Sequence, residues 1–157
     1  MHIHKITPDN IHHYQHKLAG ILKRPNLLGV FSESCGHCHA MKPSWEEMKS
    51  RLHSRKCGSG IVELDSRVLP HVNNDMIKRR INGFPTIMVI KRGHPSTEYS
   101  GNRTVEDLTN FFDANLNDES PRSSKTAKRR RKSRLLRKSI AKKSGKRGRS
   151  GKRGKKK

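Results

Sequence analysis

The charge of this chain breaks abruptly near residue 120, and that break limits how much of it can fold. Residues 121–157 carry 20 Lys and Arg and no Asp or Glu, whereas residues 1–120 hold the other 16 Lys and Arg and all 13 Asp and Glu. In the basic segment, PRSSKTAKRRRKSRLLRKSIAKKSGKRGRSGKRGKKK, the sizeable apolar side chains are Leu135, Leu136 and Ile140. Such a segment cannot bury enough surface to offset chain entropy and self-repulsion. The expectation is one folded domain over residues 1–118 and a disordered Lys/Arg-rich tail over 119–157.

No stretch approaches the roughly 18 apolar residues that span a bilayer. The opening MHIHKITPDN has no signal-peptide core, so an intracellular protein is expected, in cytoplasm, nucleus or virion. Three cysteines are an odd count, which excludes a fully paired disulfide framework. Cys35 and Cys38 stand three apart in SCGHCH, with His37 between them and His39 after. That spacing fits a redox pair or half of a zinc site. A structural zinc site takes four ligands, and no second Cys-x-x-Cys follows. Cys57 reads as a loop thiol, and His12 and His16, one turn apart, as a solvated polar face.

HIHKI (His2–Ile6) alternates like a short edge strand. Thr7 and Pro8 predict a helix start, capped by Thr7 and running to about Ala19. NLLGVF (Asn26–Phe31) reads as a buried central strand. Beyond Cys35, Met41, Trp45, Met48 and Leu52 recur at helical spacing across Pro43, which predicts a kink rather than a stop. IVELD (Ile61–Asp65) and PTIMVIK (Pro85–Lys91) read as strands, with a short helix over VNNDMIKRR between them. After the turn RGHP, STEYSG alternates as an edge strand. Thr104 caps a closing helix that turns Val105, Leu108, Phe111 and Phe112 inward. This order predicts an α/β domain with a mixed central sheet flanked by helices.

An apolar strand, then Cys-Gly-His-Cys opening a helix that continues through a proline, resembles the thioredoxin-fold family. The Gly36-His37 pair is similar to protein disulfide isomerase domains, since thioredoxin itself typically carries Gly-Pro there. INGFPT (Ile81–Thr86) is similar to the segment holding the family's cis-proline, and YSGNRTVEDLTNFF resembles its last strand, turn and helix. These landmarks cover about residues 1–117 in the family's order.

The resemblance implies a thioredoxin fold and a thiol–disulfide oxidoreductase that acts on protein substrates without a cofactor. Cys35, ahead of the helix, becomes the nucleophile, because unpaired N–H groups and the helix dipole favour its thiolate. Cys38, one turn on, becomes the resolving thiol, and the two form the redox-active disulfide. His37 is expected to partner the thiolate and make the disulfide more oxidising. Pro85 shapes the substrate groove, with Phe84 and Gly36 as substrate-binding positions. Three departures stand out: Ser34 replaces the usual aromatic before the first cysteine, Gly29 the usual buried acid, and Glu63 a frequent buried lysine. If Glu63 points inward, it replaces the missing acid from the neighbouring strand.

The tail reads as a sequence-indifferent binder of phosphate backbones, driven by counterion release, with Lys128, Arg129, Arg130, Arg131 and Lys132 as its densest run. That run also fits a nuclear localisation signal. The expectation is a monomeric redox protein tethered to nucleic acid, by analogy with a large DNA virus that runs its own thiol oxidation. The alternatives are a packaging or scaffold protein with a catalytically weak thioredoxin-like domain, and a zinc-binding nucleic-acid module.

Overall fold

Two near-continuous apolar runs lie side by side at the centre of the sheet, because a strand covered on both faces needs apolar side chains in both directions. The computed structural model describes residues 1–55 and 57–117. Its strands are β1 (His2–Ile6), β2 (Asn26–Phe31), β3 (Gly60–Asp65), β4 (Thr86–Lys91) and β5 (His94–Glu98). They pair in the order β1-β3-β2-β4-β5. β1 and β2 run parallel to β3, β4 runs antiparallel to β2, and β5 antiparallel to β4. The tail, including Lys128–Lys132, lies outside the described residues.

Helices cover both faces. α1 (Ile11–Tyr14), α2 (Leu18–Lys23), a 3₁₀ turn at Ser66–His71 and α4 (Asp75–Lys78) pack on the side of Leu28, Val30, Val62, Leu64, Met88 and Ile90. α3 (Gly36–His53) and α5 (Val105–Leu116) pack on the side of Leu27, Ile61, Ile87 and Val89. This is the thioredoxin fold, a mixed sheet between helices. α3 buries Met41, Trp45, Met48 and Leu52 and runs unbroken through Pro43. α5 starts where expected: Asp107 N–H donates to Thr104 Oγ1, and that hydroxyl donates to Asp107 Oδ2.

Three boundaries differ from expectation. The first helix does not start at Pro8, because Asn10 holds residues 7–10 in a turn: its Oδ1 accepts from Thr7 N–H and its Nδ2 donates to Lys5 O. The helix then begins at Ile11, breaks after Tyr14 and resumes at Leu18. The helix expected over 72–80 shrinks to α4, since Asn74 caps it by accepting from Ile77 N–H. β5 begins two residues early, at His94, because Arg92 and Gly93 alone close the hairpin.

Candidate active site

β2 delivers the chain to a turn in which Cys35 N–H donates to Ser32 O, and α3 starts one residue later. Cys35 is the N-cap of α3, and its sulfur accepts a hydrogen bond from Cys38 N–H at 3.3 Å. Most N-caps are oxygens; here a thiol holds the place where unpaired amides favour negative charge. Its pKa lies below the ordinary thiol value. The Cys38 thiol beside it is the main cause, and the backbone N–H groups of Cys38 and His37 and the charge of Arg103 add to it.

Cys35 Sγ also donates to Phe84 O at 3.2 Å, across 49 residues of sequence. The Phe84–Pro85 peptide is cis. Once Cys35 is a thiolate it no longer donates to the Phe84 carbonyl. Cys38 sits behind, buried, with its sulfur accepting from Ser32 N–H at 3.5 Å. Burial and the neighbouring Cys35 sulfur push its pKa up to about 11. Both cysteines are free thiols.

The rest of the motif faces outward. Gly36 and His37 are exposed, and a Cβ at Gly36 would meet nothing within 4 Å. What reaches the Cys35 sulfur from His37 is its backbone N–H. The His39 ring turns away to Glu33 O at 2.6 Å, and Ser34 bonds Ser32 side chain to side chain. Among the described residues, no group of three or more His, Cys, Asp or Glu could hold a metal ion.

Glu63 points inward and is buried beside Gly29, its cross-strand partner. A Cβ on Gly29 would lie 2.7 Å from both Trp45 Cζ2 and Phe31 Cε2. The indole therefore fills the space an acid at position 29 would need. That indole donates to Glu63 Oε2 at 3.0 Å, and buried Lys49 donates to the same oxygen at 2.6 Å. Burial works against the Lys49 ammonium, but its hydrogen bonds to Glu46 and Glu63 outweigh this and raise its pKa. Glu63, Trp45 and Cys38 line one cavity of about 160 Å³. Sequence reasoning missed Lys49 and Arg103. Lys49 sits beside Met48 and one turn after Trp45, so a lysine on the apolar stripe of α3 was the available signal.

The thioredoxin family model matches residues 4–114. The chain belongs to the thioredoxin family. This thioredoxin-family chain is 25% identical over 108 residues to the thioredoxin domain-containing protein 5 homolog of Drosophila melanogaster, covering 69% of this chain and 26% of that protein. It is 37% identical over 91 residues to the protein disulfide-isomerase of Aspergillus oryzae, covering 57% of this chain and 16% of the isomerase. It thus spans about a quarter or less of these relatives. The crystal structure of human ERp44 form I superposes with a TM-score of 0.53 at 19% identity, over 71% of this chain and 29% of that one, which supports the fold alone. Among the described residues, no helix of this thioredoxin-family chain is long and apolar enough to cross a membrane.

Proposed function

We propose that the chain is a thiol–disulfide oxidoreductase of the protein disulfide isomerase type, with Cys35 as nucleophile and Cys38 as resolving thiol. The observation that carries this is the pairing of an accessible, acidified Cys35 at the α3 N-cap, against the cis Phe84–Pro85 segment, with a buried Cys38 one turn behind it. Similarity to isomerases supports the same reading.

In the reducing direction, Cys35 thiolate attacks one sulfur of a substrate disulfide, and the other sulfur leaves as a thiolate that takes a proton. Cys38, once deprotonated, attacks Cys35 Sγ, and the substrate leaves as its second thiol. Two electrons pass to the substrate and Cys35–Cys38 becomes a disulfide. Oxidation of a substrate dithiol runs the same steps in reverse. Phe84 O and the open surface at Gly36 receive the substrate chain.

Burial leads the causes that push the Cys38 thiol up to about 11, so it holds its proton at neutral pH and resolution needs a proton acceptor. Glu63 fills that role: it replaces the family's acid from β3, shares a cavity with Cys38, and is held in place by Trp45 and Lys49. The proton leaves Cys38 Sγ for the Glu63 carboxylate through that cavity. The tail over residues 119–157, densest at Lys128–Lys132, binds nucleic acid without sequence preference.

Trapping tests the central step. A Cys38→Ser variant incubated with a disulfide-scrambled protein accumulates a mixed disulfide at Cys35, whereas Cys35→Ser accumulates none. Equal trapping by both variants contradicts the assignment of roles, and no trapping by either favours a scaffold protein with an inert domain.

A further inference from the structure

We propose that a second site, at the end of the sheet away from Cys35, binds the phosphate group of a phosphate ester. Cys35 follows the last residue of β2. The β4–β5 turn follows the other end of the sheet, where Asn26, the first residue of β2, pairs with Ile90. A cavity of about 240 Å³ opens there, under the turn and beside α2.

Three basic side chains line it: Lys23 at the end of α2, His71 at the end of the 3₁₀ turn, and Arg92 on the hairpin. No carboxylate lines it, and none of the three takes part in an ion pair among the described residues. The cavity beside Cys38 is the contrast, since it mixes Lys5 and Lys42 with Glu33, Glu63 and Asp65. Cations gathered round a hollow without counter-charge make a favourable potential for an anion.

Arg92 and Gly93 both have positive φ, +54° and +81°, so they form a two-residue turn of the type that strongly favours Asn-Gly. An arginine there is locally unfavourable, and backbone placed against its preference concentrates at functional sites. The turn is also braced: Asn74 Nδ2 donates to Gly93 O at 2.8 Å while its Oδ1 caps α4. The guanidinium is thus presented from a fixed base. Its fork suits phosphate oxygens, Lys23 adds a point charge, and the His71 ring and the Gln15 amide can donate from the sides. Leu22 gives the hollow an apolar side for the sugar or base beyond the phosphate.

The test follows backbone amide resonances of the full chain by NMR during titration with inorganic phosphate, adenosine monophosphate and a short single-stranded oligonucleotide. Site-resolved shifts separate this pocket from the basic tail. The Arg92→Asn variant gives the turn its preferred residue, so it is expected to melt no lower than wild type. Saturable shifts at Lys23, Asn74, Arg92 and Gly93 are expected, weakened by about tenfold in Arg92→Asn for loss of one charged donor. Shifts with the mononucleotide assign a free phosphate ester; shifts with the oligonucleotide alone assign a nucleic-acid backbone. Absence of saturable shifts with all three probes, or equal binding by wild type, Arg92→Asn and Lys23→Ser, overturns the proposal.

Discussion

Cys35 and Cys38 are the same chemical group in two environments, and the difference between those environments is what a dithiol exchanger requires. Cys35 has the Cys38 thiol beside it and gathers amide donors at the helix start, so its thiolate is favoured; Cys38 is buried and keeps its proton. Alkylation by iodoacetamide, followed by mass against pH, is therefore expected to modify Cys35 with a midpoint below the ordinary thiol value of about 8.5. Modification of Cys38 in the Cys35→Ser variant is expected to stay slow until well above that value, since burial leads the causes of its raised pKa. Equal rates and midpoints contradict the assignment of roles. At the same scale, Glu63→Gln keeps the shape of the buried group and removes its capacity to take a proton. Resolution of a Cys35 mixed disulfide should slow on the order of a hundredfold at pH 7. An unchanged rate excludes Glu63 as the acceptor.

Packing between β2, β3 and α3 explains why the acid sits on β3. Trp45 occupies the volume over Gly29, so an acidic side chain at position 29 has no room, and Glu63 meets the indole from the adjacent strand. Gly29→Ala would press a methyl group into the indole and the Phe31 ring at 2.7 Å. Overpacking of that kind costs about 1–3 kcal/mol, which denaturant unfolding measures. A variant as stable as wild type contradicts the packing account. Sequence alone reaches β2, α3 and α5 nearly to the residue, because each has strong periodicity or a capping residue at its border. It names Glu63 only on the condition that the side chain points inward, a condition the burial of Glu63 meets. It fails where short polar side chains redirect the backbone: Asn10 delays α1 and Asn74 shortens α4. It misses Lys49 because a lysine on a helix reads as exposed until its partner on β3 is known.

At the scale of the molecule, the two cavities divide the chemistry between opposite ends of the sheet. The redox pair stands at the C-terminal end of β2, and the basic hollow under the β4–β5 turn stands at the other. This separation predicts that substitutions at Arg92 leave thiol chemistry untouched. Cys35 and Cys38 are expected to form a reversible two-electron pair. An equilibrium titration in glutathione redox buffers, with thiols trapped and counted by mass, tests it most directly. Run on the full chain, on a form ending at residue 118 and on Cys35→Ser, it is expected to give one reversible transition in the first two, with the same midpoint, and none in the third. Failure of a Cys35–Cys38 disulfide to form in any buffer, or thiols occupied by stoichiometric zinc, would contradict the account.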